Sequence, residues 1–322
     1  MTNHYKNVYV NAKYSLLAST KMKPIVSMNV DKCINDYYVN CKTIEEAETN
    51  FLTQSIDGIL EKINYREKDV DLLILGDLQN QILASNRVAA LYNISYLGIY
   101  SACASFIEGI IIASNFIKNS DIKVIVGTSS HNLVSEKQFR FPVEYGAIRK
   151  RVNTSTCTGS ISILMSRRKS NIKIESSTIG KCYETGLVDA NDMGSAMAMS
   201  CAEVIYDHLF DTKRSNDYYD LILTGDLGVY GVEVMKKYYK KKYNEELNNV
   251  IDSGSIFYTD NDIYAGASGP LCIGLSLFDY ILKENKYKKI LVVGTGSLHS
   301  TISCNLGLLI PSISHAVSLE VI

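Results

Sequence analysis

The chain has 322 residues, 46% of them hydrophobic, and a formal net charge of −1. This is enough for one large domain or two fused units around a substantial core. The lysines are dispersed among acidic residues, so there is no basic footprint for nucleic acid, and no apolar run reaches the roughly 20 residues that span a bilayer. The eight cysteines form no CxxC pair and lie at no zinc-finger spacing from a histidine. The expectation is a soluble protein of a reducing compartment, with any membrane association through partners or the surface.

In chain order, the opening MTNHYKNVYVNAKY lacks the cationic and apolar pattern of a leader. The first strong element is DLLILGDLQ (71–79), an acidic entry, an apolar strand and a Gly-Asp-Leu exit. IYSACASFIEGIIIAS (99–114) follows, where a turn of small residues holding Cys103 becomes a helix of about four turns, apolar nearly all round. Such a helix belongs in an interior. The strand after it, Val124–Val126, is continuously apolar, as expected when both faces are covered. Arg140, Arg149, Lys150 and Arg151 make the next loop basic, a solvated face that is also able to steer an anion. Met193, Met197 and Met199 read as packing residues, and the run from Met235 as a charged surface helix with its tyrosines turned inward. Two segments then repeat what came before. DLILTGDLG (220–228) matches 71–79, and ASGPLCIGLSLFDYILKENKYKKILVVGTGS (267–297) lies without a gap over 100–130.

The repeats divide the chain into two duplicated α/β halves, 1–169 and 170–322, each with a central helix buried between sheets. This five-layer αβαβα plan resembles the thiolase fold. In thiolases and ketoacyl synthases the reactive cysteine sits at the N-terminus of the first half's central helix, and SACAS places Cys103 there. The repeat puts Pro270 at the matching point of the second half. A helix N-terminus favours a thiolate or a bound anion; the plainer reading of Cys103 is a small core residue. The resemblance also says where catalytic partners would lie, and those places read Gly225-Asp226 and Ala267-Ser268, with no histidine or asparagine. Asp226 is then a turn residue bonding its own backbone. His299 is the nearby substitute, equally readable as a hydrogen-bonded loop residue. An acyl-thioester enzyme with Cys103 as nucleophile is the alternative function on this reading.

A closer resemblance covers nearly the whole chain. GDLQNQ (76–81), ACAS (102–105), TSSHNLVSEKQFRFPVEYG (128–146), STCTGS (155–160), NDMGSAMA (191–198) and YDLILTGDLG (219–228) are similar to the SpoVAD family, stage V sporulation protein AD. The resemblance implies a non-catalytic, thiolase-like protein that binds pyridine-2,6-dicarboxylate (dipicolinate) during its uptake into the developing spore. It would work beside the other SpoVA proteins, peripheral to the spore inner membrane. The family's pocket residues fall on Asp77, Cys103 and His131, and Ser130 and Asn132 would add donors from the end of the neighbouring strand. Three roles stay open for Asp77: holding His131 in its charged form, meeting calcium, or bonding its own turn. No cofactor is expected, and calcium enters only as a chelate of the ligand. Thiolase-like folds commonly pair, so a homodimer through the strand Ile122–Gly127 is expected.

Overall fold

A computed structural model describes residues 1–18, 24–27, 29–139, 150–258 and 265–322. Arg140 and Arg149, two of the four basic residues singled out above, lie outside the described residues.

The first half contributes β1 (Tyr9–Ala18), α1 (Ile44–Ile63), β2 (Leu72–Gly76), α2 (Leu83–Ala89), β3 (Ser95–Gly98), α3 (Ser105–Asn119), β4 (Val124–Ser130), α4 (Asn132–Phe139) and β5 (Thr158–Ser166). The second contributes β6 (Ile172–Ile179), α5 (Met193–Thr212), β7 (Leu221–Thr224), α6 (Gly228–Tyr243), β8 (Val250–Asp252), α7 (Ser253–Phe257), α8 (Pro270–Asp279), β9 (Lys289–Ser297), α9 (Thr301–Asn305) and β10 (Pro311–Val321). The strand orders β3-β2-β4-β5-β1 and β8-β7-β9-β10-β6 are the same path traced twice. In each half the first three strands are parallel and the last two antiparallel. The halves join edge to edge where Tyr9 and Val10 pair with Lys173 and Ile172. The segments read as repeats therefore occupy equivalent places: β2 with β7, α3 with α8, β4 with β9.

Layering follows from which faces are apolar. The central helix α3 buries Phe106, Ile107, Ile110, Ile111 and Ile117, and with α8 it shares one hydrophobic core with strands of both halves. Each such side chain contributes on the order of 1.5–3 kcal/mol by leaving water. A second core lies between α5, α6 and the outer face of the second sheet, and a third between α1, α2 and the outer face of the first. The result is helix, sheet, central helices, sheet, helix. The run from Met235 forms the outer helix α6, with Tyr239 buried and Tyr243 stacked on Tyr206 at 3.7 Å.

One sequence expectation is corrected here. The strand Ile122–Gly127 cannot join two copies, because β4 is paired on both sides, with β2 and with β5. The open edge of this half is β3, which pairs with β2 alone among the described strands and exposes Leu97.

Candidate functional site

The turn before α3 is built by short-range bonds. Ser101 N–H donates to Ser105 Oγ at 2.9 Å, Ser101 Oγ to Glu108 at 2.7 Å, and Ser105 Oγ to the Ala102 carbonyl at 2.8 Å. These hold Ala102 at φ 50°, a left-handed conformation that costs a non-glycine residue about 1–2 kcal/mol. Cys103 is thereby set at the mouth of the helix. The second half closes on it through Gly296, where a Cβ would lie 2.1 Å from the Ser101 carbonyl oxygen. Only glycine admits this approach.

Beneath the thiol lies Asp226, the residue read from sequence as a turn former. Its carboxylate instead reaches across the fold, accepting from Gly269 N–H at 3.0 Å, from Thr295 Oγ at 2.9 Å and from the Cys103 thiol. The reason lies in Asp252, which takes over the local work: it accepts from the N–H groups of Leu227 and Gly228 at the start of α6, at 3.1 and 3.0 Å. Relieved of capping, Asp226 turns to the centre. Burial pushes its carboxyl up to about 6, while the bonds from Cys103, Gly269 and Thr295 work in the opposite direction. Burial, reinforced by the Asp226 charge, pushes the Cys103 thiol well above its ordinary value; the Gly269 N–H opposes this. The helix N-terminus therefore does not yield a thiolate. Burial wins.

Above Cys103 opens a small cavity of about 60 Å³, more than the room one water needs. Leu78, Tyr100, Phe139 and Met193 give it apolar and aromatic walls. Four other wall residues, Ser135, Asn153, Thr154 and His299, are each more than nine-tenths buried and carry a polar atom with no hydrogen-bond partner among the described residues: Ser135 Oγ, Asn153 Oδ1, Thr154 Oγ1 and His299 Nε2. A buried polar atom left unpaired costs about 1–3 kcal/mol, so four around one cavity are a demand for a polar guest. His299 is held by Ser297 Oγ at Nδ1, 3.0 Å away, and by the Phe139 ring. Burial lowers its pKa, so the imidazole is neutral near pH 7.

Of the five residues named from sequence, the structure brings only Cys103 to this cavity. Asp77 accepts from Gln79 N–H and from the N–H and hydroxyl of Ser85, so its carboxylate caps α2 and touches neither His131 nor the cavity wall. His131 is stacked on Phe51 and bonded at both nitrogens. Nδ1 accepts the Leu133 N–H at 3.2 Å, which leaves Nε2 to donate to the Tyr37 carbonyl at 2.9 Å. Burial lowers its pKa, and the opposing contributions of Tyr37 and Glu45 do not reverse this; the charged His131 expected beside Asp77 is not formed. Ser130 Oγ donates to the Cys157 carbonyl, and Asn132 donates to Ser155 Oγ and the Thr156 carbonyl. These two support the short ladder in which 155–156 pairs with 267–268, and through it Thr156 and Ser268, which line the cavity. His299 and Met193, noted in the sequence for other roles, are wall residues.

The layered duplication and the cysteine at the central helix define a thiolase-like protein. The chain superposes on 3-oxoacyl-(acyl-carrier-protein) synthase III from Aquifex aeolicus with a TM-score of 0.59 at 16% identity, over 97% of this chain and 99% of that one. On OleA from Xanthomonas campestris the TM-score is 0.63 at 14% identity, over 99% and 100%. At these identities the likeness concerns the fold. Stage V sporulation protein AD from Bacillus subtilis (strain 168) is 37% identical over 295 residues, 90% of this chain and 87% of that protein. The family model described as stage V sporulation protein AD (SpoVAD) matches residues 2–320. The chain belongs to the SpoVAD family of sporulation proteins. Among the described residues no helix is long and apolar enough to cross a membrane.

Proposed function

We propose that the cavity beside Cys103 binds pyridine-2,6-dicarboxylate reversibly, and that the protein serves its uptake into the developing spore without covalent chemistry. The observation that carries this reading is the set of four unpartnered polar atoms around an aromatic-walled cavity. A flat ring would lie against the walls made by Tyr100, Phe139 and Met193, and the two carboxyl groups that flank its nitrogen would answer polar atoms on more than one wall. Serine and threonine hydroxyls donate to carboxylate oxygens, and so does a histidine N–H.

The chemistry around the thiol supports binding over turnover. A cysteine acts as a nucleophile through its thiolate. Burial, with the Asp226 charge beside it, holds the proton on the Cys103 sulfur. The other SpoVA proteins at the spore inner membrane are the proposed partners, and a second copy pairs through the open edge β3.

Binding of dipicolinate against its analogue benzene-1,3-dicarboxylate, in which C–H replaces the ring nitrogen, tests the reading. Saturable binding of the first at one site per chain, with no acyl adduct on Cys103 after incubation with acyl-CoA, is the expected result. An acyl-enzyme formed and turned over on Cys103 would replace this reading with the condensing enzyme.

A further inference from the structure

The hydrogen-bonding sense of one cavity wall is fixed from outside. Lys150 Nζ donates to Asp189 Oδ2 at 2.6 Å. Partial burial works against ionisation of Asp189, but the bonds from Lys150 and Asn191 hold its carboxyl below the ordinary range, so near neutral pH it only accepts. Asn191 must therefore turn its N–H groups to Asp189: its backbone N–H donates at 3.0 Å and Nδ2 at 2.9 Å. Its Oδ1 is left facing Asn153, whose Nδ2 donates to it at 3.2 Å. By the same logic Asn153 presents Oδ1, an acceptor without a partner among the described residues, in a residue that is 8% exposed and lines the cavity. Reversing the Asn153 amide would set its oxygen against the Asn191 oxygen or, with Asn191 reversed as well, undo the bond to Asp189.

We infer that Asn153 demands a hydrogen-bond donor from the guest, and that the dicarboxylate is held with one of its two carboxyl groups protonated. This rests on the reading of the cavity as the dipicolinate site. A fully ionised dicarboxylate offers only acceptors, and set against Asn153 Oδ1 it would leave that atom unpaired and repelled. The monoanion carries one O–H for Asn153 and keeps acceptor oxygens for the hydroxyls of Ser135 and Thr154. The other titratable groups around the cavity are Tyr100, Cys103, Glu136 and His299, with Asp226 behind Cys103 and Asp189 and Lys150 behind Asn191.

Infrared difference spectroscopy with ligand carrying ¹³C in its carboxyl groups reads the ligand's own proton apart from all of these. Near neutral pH the free ligand is ionised. Bound to the wild-type protein it is expected to show the isotope-shifted carbonyl stretch of a protonated carboxyl, and affinity should fall about tenfold for each unit rise in pH. In Asn191→Leu the Asn153 amide is free to turn and offer its N–H, so the band and the pH slope should vanish while binding persists. Asn153→Ala should likewise lose both. Binding that shows only carboxylate bands, or a band that survives in Asn191→Leu and Asn153→Ala, overturns the inference and leaves the cavity's assignment standing. Failure of the wild type to bind the ligand at millimolar concentration overturns both.

Discussion

Replacing Asp226 by Asn removes one negative charge from beneath the Cys103 thiol and keeps the shape that packs against Gly269 and Thr295. A unit charge at hydrogen-bond distance is worth about 4 kcal/mol at an effective dielectric of about 20. Every 1.36 kcal/mol is tenfold, so the ceiling on the gain in thiolate is about 1,000-fold. The bonds that Thr295 and Gly269 make to Asp226 already draw off part of its potential, and burial of the sulfur persists in the variant. The expected gain in alkylation by iodoacetamide is therefore between about 10-fold and about 1,000-fold. Peptide mass spectrometry follows Cys103 against the exposed Cys33 and Cys182 of the same chain, whose rates should not change. If Cys103 in Asp226→Asn labels at the wild-type rate relative to Cys33, Asp226 does not hold the proton on sulfur, and the argument against a nucleophile loses its support.

The other expectations follow from single contacts. His299→Ala should weaken dipicolinate binding about 10-fold or more, the worth of one hydrogen bond to a charged group, measured by calorimetry; unchanged affinity would remove His299 from the site. Leu97→Glu on the open edge β3 should convert a dimer to monomers in sedimentation equilibrium, because a buried charge on a pairing edge is costly; a wild type that is already monomeric would refute the pairing. Burial holds the His315 imidazole down at about 4. Between there and the unfolded value near 6.5 the unfolded chain binds the proton and the folded one does not. The stability present above about pH 6.5 is thus lost as pH falls, by about 2 kcal/mol at about pH 5. In urea titrations His315→Gln should lose about that much less than the wild type between neutral pH and about pH 5; an identical loss in both would contradict the assignment.

The duplication was legible because an internal repeat preserves the order of apolar strand, turn and helix, and because α3 and α8 are apolar on all sides. Cys103 was placed by the same repeat. The rest of the site was less accessible. Asp77 and Asp226 stand at equivalent points of the repeat, yet one caps its own helix and the other crosses the fold. The difference depends on Asp252, a residue about 25 positions further on with no counterpart in the motif. Likewise His131 sits in the most distinctive motif, but its two ring nitrogens serve the Leu133 amide and the Tyr37 carbonyl. A motif marks where a residue matters and not what it touches. Asn153 and Thr154 carry no signal along the chain, and Ser135 lies in the same motif as His131 with nothing to set it apart. They become a site only when α4, the segment around 153–156 and the turn holding His299 converge.

Calorimetric titration of the wild type and of Cys103→Trp with dipicolinate tests the central claim most directly. The indole would fill the cavity at the helix end without adding charge. The account predicts saturable binding at one site per chain in the wild type and none in Cys103→Trp, with the folded state of the variant verified by circular dichroism. Equal binding in the two proteins, or no binding in the wild type, would contradict it.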